Sequence, residues 1–302
     1  MDVRRFAAID IGSNSVRLLV EQVFVTPSET RFSKITLLRL PVRLGEDTFS
    51  EQRIRPSTIE RLCDAMSAFS SVMRLHEVVH YKAAATSAMR EAENADDVLL
   101  HVMRRTGIPV QVLSGDEEAG VINLSQSAFA KKLNKNCLFI DVGGGSTETV
   151  VFTGGVSVAE HSFQIGTIRL LKDKVKKSEW KSLQLWLDDH IQRGDNLTPV
   201  GSGGNINRLY KLIHNEPGKA LRVSQLKKLV RDLSECSVDE RMERYGLHPD
   251  RADVIVPAGE IFLSILSHMG AEHMYVPKLG LSDGLVKQAY REYYSQHRIT
   301  AS

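Results

Sequence analysis

The sequence predicts an α/β chain of two related lobes. Three observations carry that prediction: a length of 302 residues, an alternation of strand-like and helix-like runs, and a turn motif that occurs twice. At this length one hydrophobic core would be large, whereas two medium cores are comfortable. The motif Ile9-Asp10-x-Gly12-x-x-Ser15 recurs as Ile140-Asp141-x-Gly143-x-x-Ser146, its aspartates 131 positions apart (10 and 141). Each copy follows an apolar strand and precedes two more strand-like runs, so the repeat covers a strand–turn–strand unit.

The elements follow in order. Residues 6–11, 16–24 and 33–42 read as a meander of three strands, rich in Val, Ile, Leu and Phe with turn residues between them. Behind Pro56, suited to a first helical position, Ile59, Leu62, Cys63, Met66, Phe69 and Met73 recur at helical spacing. Residues 78–83 read as a strand, 95–105 as a helix and 110–113 as another strand, the alternation of a sheet with crossover helices. The second lobe repeats the opening with strands into Asp141, over 148–153 and over 156–163. A helix is expected over 180–190, a short strand over 197–200, and a glycine-rich turn, Gly201-Ser202-Gly203-Gly204-Asn205, opening a further helix. Asn215-Glu216-Pro217-Gly218 marks a break before helices around 223–233 and 258–269. Ile261, Phe262, Ile265 and Leu266 lie on one face of the latter. Residues 275–277 read as a last strand and 283–294 as a helix. The lobes are therefore expected at 1–124 and 125–283, with a C-terminal helix, about 284–302, packing back on the first.

Composition narrows the function classes. Hydrophobic residues make up 42% and charged residues 25%, with 9 prolines, the balance of an ordinary globular protein. Lys+Arg 39 against Asp+Glu 37 leaves a net charge of +2, too little for bulk attraction to nucleic acid or a membrane, so any anion site is local. The clusters Lys131-Lys132-Lys135 and Lys172-Lys174-Lys176-Lys177 read as solvated faces. Cys63, Cys137 and Cys236 are odd in number and lack metal-ligand spacing, which argues against a disulfide framework or a zinc site and fits a cytoplasmic location. Asp10 interrupts the first apolar run well short of a signal-peptide core, and residues 254–266, with Pro257 and Glu260, are too few to span a bilayer.

A glycine-rich turn after a buried strand gathers backbone N–H groups in one concavity, and glycine lets phosphate oxygens approach closely. Gly12, Ser13, Asn14 and Ser15 form one candidate phosphate loop, Gly143, Gly144, Gly145 and Ser146 a second, and Gly203 with Gly204 a third. A single such loop could equally be a tight hairpin; three shift the balance toward phosphate. An aspartate beside each of the first two would repel phosphate unless a cation lay between them. Hence Mg2+, or another divalent cation, is expected on Asp141 and Glu148, with Asp10 assisting through water. Read alone, Glu148 is also compatible with an outward-facing strand carboxylate. Ser114 and Glu117 fit a helix capping box, which leaves Glu118 as a candidate base to activate water. Arg90, just after a strand, could grip phosphate oxygens, although a surface arginine is the commoner case.

These residues together resemble the exopolyphosphatase and guanosine pentaphosphate phosphatase (Ppx/GppA) family. Residues 6–15 look like its first phosphate loop, 140–148 like its second, and Gly115-Asp116-Glu117-Glu118-Ala119 like its G-x-E-E-A segment, whose second glutamate is the catalytic base. Arg90 matches an arginine near the substrate phosphates, and Arg43-Leu44-Gly45 and Arg251-Ala252-Asp253 resemble further family segments. The resemblance implies two actin-like (ribonuclease H-like) ATPase-fold lobes related by duplication, with an active site in the interlobe cleft. It also implies Mg2+-dependent hydrolysis of inorganic polyphosphate or of a guanosine polyphosphate (pppGpp), and a homodimer. Ala85 replaces the usual glycine before Thr86, Gly204-Asn205 stands where many relatives have Gly-Thr, and the resemblance covers two lobes, whereas long relatives carry additional helical domains that bind extended polyphosphate. The competing readings are a sugar or acetate kinase of the same fold and a non-catalytic alarmone sensor.

Overall fold

A computed structural model of the chain describes residues 1–190, 197–214 and 219–297. The chain divides into two compact units, Met1–Leu124 with the chain from Leu281, and Ser125–Gly280. The break expected at residues 215–218 and the end of the expected C-terminal helix lie outside the described residues.

In the first unit, β1 (Asp2–Ile11), β2 (Val16–Val25) and β3 (Thr30–Leu40) form the antiparallel meander. Helices α1 (Leu44–Glu51) and α2 (Pro56–Leu75) lead to β4 (His80–Ala85), which runs parallel to β1. After α3 (Ser87–Glu91) and α4 (Ala95–Thr106), β5 (Gln111–Val112) completes a sheet of order β3-β2-β1-β4-β5. β5 is shorter than expected because it pairs only with Ala84 and Ala85 at the end of β4. α5 (Gly115–Leu133) follows.

The second unit repeats the plan. β6 (Cys137–Val142), β7 (Thr147–Thr153) and β8 (Val156–Phe163) form a second meander. After α6 (Thr167–Leu171) and α7 (Lys177–His190), β9 (Thr198–Ser202) joins β6 in parallel, giving the order β8-β7-β6-β9. A single parallel bridge between Val200 and Tyr275 occupies the place that β5 takes in the first unit. The meanders match in detail, each carrying a register shift at the same point, Val20/Glu21 and Val151/Phe152, again 131 positions apart. This strand order, twice, is the duplicated actin-like architecture.

The remaining elements are α8 (Gly204–Ile213), β10 (Leu221–Arg222), α9 (Val223–Ser234), α10 (Val238–Tyr245), α11 (Pro249–Ala252), α12 (Ile255–His268), β11 (His273–Met274) and α13 (Leu281–His297). Some differ from the sequence reading for identifiable reasons. α12 begins at Ile255, not 258, because Pro257 falls in its first turn, where a missing N–H is tolerated. The strand expected over 275–277 is instead β11, which pairs with β10. Pro277 has no N–H to give a ladder. α10 escaped notice although Ser237 and Glu240 form a full capping box at its start.

Each meander has two dressed faces. In the second unit Leu138, Ile140, Val142 and Val151 meet α7, α8, α9 and α12, while Cys137, Phe139, Val150 and Phe152 pack with Ala130 and Phe129 of α5. In the first, Phe6 and Ala8 of β1 pack with Leu285, Val286 and Ala289 of α13. Phe6 lies edge-on to Tyr290 and Tyr293. Such ring pairs add about 0.5–1.5 kcal/mol each beyond the area they bury.

Candidate functional site

Both aspartate–glycine turns close in the same way. The Gly12 N–H donates to the Ser15 carbonyl at 3.1 Å and the Gly143 N–H to the Ser146 carbonyl at 2.9 Å. A Cβ on either glycine would lie 3.3 or 3.2 Å from that same carbonyl oxygen. These two amides are therefore engaged in turn closure and unavailable to phosphate. The next ones differ. The carbonyls of Gly143 and Gly144 accept from the N–H groups of Thr167 and Ile168 at 3.0 and 2.8 Å, and the Gly145 carbonyl accepts from Arg169 Nε at 2.9 Å. In a trans peptide the C=O and the following N–H point opposite ways. Pinning three successive carbonyls toward α6 thus turns the N–H groups of Gly144, Gly145 and Ser146 away from it, as an anion-binding nest requires. The first loop is held alike, with the Ser13 and Asn14 carbonyls accepting from the Gly45 and Arg43 N–H groups at 2.8 and 3.2 Å. That gives the Arg43-Leu44-Gly45 segment a role. Ser13 is further tied by its hydroxyl to Ser87 at 2.9 Å.

The rows of side chains beside the two loops carry opposite charges. In the second unit Glu148 stands directly across from Asp141, flanked in register by Ser162 and Ser202. Ser162 Oγ donates to Glu148 at 2.9 Å and Ser202 Oγ to Asp141 at 2.9 Å. In the first unit the same register positions hold Arg39, Arg17, Asp10 and Ala84. Arg17 lies 3.4 Å from the Asp10 carboxylate, and Ser282 Oγ 3.5 Å. Burial drives the Asp10 carboxyl above its ordinary value, with Arg17 and Ser282 opposing. Asp10 therefore already faces a guanidinium, whereas Asp141 faces a second carboxylate.

The second row fits a hard divalent cation. No group of three or more His, Cys, Asp or Glu side chains suited to a metal occurs among the described residues. Two carboxylates suffice for Mg2+, which keeps several waters. Gly203 leaves room for this pair, since a Cβ there would come within 2.3 Å of Asp141 Oδ1.

Comparison with known proteins identifies the architecture. The family model described as the Ppx/GppA phosphatase family matches residues 25–292. The chain belongs to the Ppx/GppA phosphatase family. The crystal structure of the Aquifex aeolicus Ppx/GppA family member is similar at 28% identity and a TM-score of 0.75, covering 96% of this chain and 99% of that one. An exopolyphosphatase from Cytophaga hutchinsonii shares the fold at 21% identity and a TM-score of 0.80, covering 98% and 99%.

In this Ppx/GppA chain the capping box forms as the sequence suggests. Ser114 N–H meets Glu117 Oε2 at 2.7 Å and Glu117 N–H meets Ser114 Oγ at 3.1 Å. Glu118 is thereby released from capping, and its buried carboxylate lies 3.5 Å from Arg90 Nη1. Arg90 also donates to the Leu113 carbonyl at 2.6 Å, so it is anchored beside Glu118 and is not a free surface arginine. In the third loop the Gly203 N–H is engaged with the Leu279 carbonyl at 3.1 Å, and Gly204 opens α8, its carbonyl held by Arg251 at 2.9 Å. The Gly203 amide is thus structural, leaving its missing side chain as its contribution. The sequence reading passed over Gly166, Arg169, Arg17 and Gln126. Arg17 was within reach, because the 131-residue offset that relates the loops also sets it against Glu148. No described helix is long and apolar enough to cross a membrane.

Proposed function

We propose that this chain is an exopolyphosphatase-type phosphohydrolase, releasing terminal orthophosphate from inorganic polyphosphate with a divalent cation, normally Mg2+, on Asp141 and Glu148. The observation that carries this reading is the conjunction, within one unit, of a loop presenting three N–H groups and a facing carboxylate pair. That combination suits a phosphate with its cation better than either partner alone. When bound, the cation neutralises charge on the phosphoryl oxygens. The N–H groups of Gly144, Gly145 and Ser146 hold the equatorial oxygens, on which charge spreads as the bond to the leaving oxygen lengthens. Glu118 accepts the proton of the attacking water, and Arg90 fixes the orientation of that carboxylate. Asp10, engaged by Arg17, acts no closer than through water. In the first unit, the loop and Arg17 with Arg39 beside it in register offer donors and positive charge suited to an anion.

The test is phosphate release from short polyphosphate, long polyphosphate, pppGpp and ATP by the wild type and by Glu118→Gln. Loss of a general base lowers kcat by about 10²–10⁴. Full turnover in Glu118→Gln would remove Glu118 from the chemistry. Release from pppGpp alone would reassign the substrate to guanosine polyphosphates while leaving the site assignments standing.

A further inference from the structure

Gln126 lies on α5 in the second unit, 1% exposed. Its Nε2 donates to Ser202 Oγ at 3.4 Å, and Ser202 Oγ in turn donates to Asp141 Oδ2 at 2.9 Å. The order of donors fixes the amide. A carboxylate can only accept, so the single hydroxyl proton of Ser202 goes to Asp141, and Ser202 must receive from Gln126. Rotating the amide by half a turn would set two acceptors against each other. Gln126 Oε1 consequently needs a donor of its own, and it is buried with no hydrogen-bond partner among the described residues. A buried amide oxygen left unsatisfied costs about 1–3 kcal/mol, and a helix position so near the carboxylate pair would be better served by an apolar side chain unless a donor arrives there.

The chemistry of the site restricts that donor. A phosphate oxygen in its ionised form cannot donate, and neither Asp141 nor Glu148 as carboxylates can. Water can, and a water bound to a divalent cation is the stronger donor, because the cation occupies its lone pair and sharpens its two protons. We propose that Gln126 is a positioning residue for the cation site: its Oε1 accepts a hydrogen bond from a water bound to a divalent cation on Asp141 and Glu148. The same side chain then touches the cation's shell twice, through that water and through the Ser202–Asp141 relay, fixing the orientation of one ligand as it does so. The proposal rests on the reading of Asp141 and Glu148 as the cation's ligands.

Mn2+ is the probe, its binding to the full chain followed by electron paramagnetic resonance, with the Tm of the metal-free protein measured in parallel. Gln126→Met keeps the volume and removes both polar atoms. The expected result is a pair of opposite changes: Mn2+ Kd raised at least about tenfold, as for other outer-shell partners, with the metal-free Tm unchanged or raised. An unchanged Kd in Gln126→Met overturns the proposal. So does a fall in Tm alongside weakened binding, which is what a purely structural glutamine would give. Asp141→Asn separates this inference from the site reading beneath it. If wild-type binding is absent or survives in Asp141→Asn, the cation site itself is misassigned and both fall; if Asp141→Asn abolishes it and Gln126→Met does not weaken it, only the role of Gln126 falls.

Discussion

At the residue scale, Gly203 shows how much the carboxylate pair depends on an atom that is not there. Its φ of 90° and ψ of 172° lie where side-chain-bearing residues are strained by about 1–3 kcal/mol. Its Cβ would also press on Asp141 Oδ1. Gly203→Ala is expected to lower stability by about 2 kcal/mol in urea unfolding and to weaken Mn2+ binding at least tenfold. A variant that loses stability yet binds Mn2+ normally would show that Asp141 does not need this space. The glycine-rich run was legible in the sequence as a phosphate-type loop. Which glycine matters, and why, was not, because the reason is a side chain on another strand. Gln126 was invisible for the same cause: a lone glutamine in a helix reads as solvated until its neighbours are known.

At the element scale, the two short helices after the meanders hold the phosphate loops from behind. A helix as brief as α6, five residues, offers too little periodicity to be read from sequence. Its function is nonetheless specific, since its first N–H groups and Arg169 take the carbonyls of the second loop. Gly166 is the point of closest approach, where a Cβ would lie 2.4 Å from the Gly145 carbonyl carbon and 2.5 Å from the Gly144 oxygen. Those are backbone atoms and cannot step aside. At Gly45, which plays the matching part for the first loop, the nearest atoms are the Phe49 ring at 2.8 Å and the Ser13 side chain at 3.0 Å. Those can shift. Gly166→Ala is therefore expected to slow phosphate release sharply, with KM rising as the nest loses its shape, while Gly45→Ala costs no more than about 1–3 kcal/mol of stability, the usual range for overpacking, and leaves activity near that of the wild type. Steady-state kinetics and urea midpoints of the two variants decide it. Equal losses would mean that the loops are not held as their hydrogen bonds indicate.

At the scale of the whole molecule, the duplication was legible because strand–turn–strand chemistry repeats at a fixed offset, whereas its divergence lies in what each copy packs against. The clearest case is the position after the shared register shift. Phe152 fills it in the second unit, packed in an apolar cluster with Phe139. Its counterpart in the first unit is Glu21, only 4% exposed. Glu21 is electrostatically linked to Asp283 and Lys287 of α13 and pairs in register with Lys34. Burial first, and Asp283 second, raise its pKa to about 7, against the opposing pull of Lys34 and Lys287. The sign follows from proton linkage. Below the ordinary value of 4.5 the carboxyl is protonated in folded and unfolded chains alike, and its full contribution is present. As pH rises toward 7 the unfolded chain ionises first, so the contribution is lost, by up to about 3 kcal/mol once the folded pKa is passed. Asp10, also raised by burial, acts in the same direction. Glu21→Gln removes the Glu21 contribution and leaves that of Asp10 in place. Its unfolding free energy, measured in urea at pH 5, 6, 7 and 8, is expected to gain on the wild type from pH 5 to 7 and to level off by pH 8. Curves that stay parallel would mean that Glu21 does not carry a raised pKa in the folded chain and that its charge is met by Lys34 and Lys287 throughout.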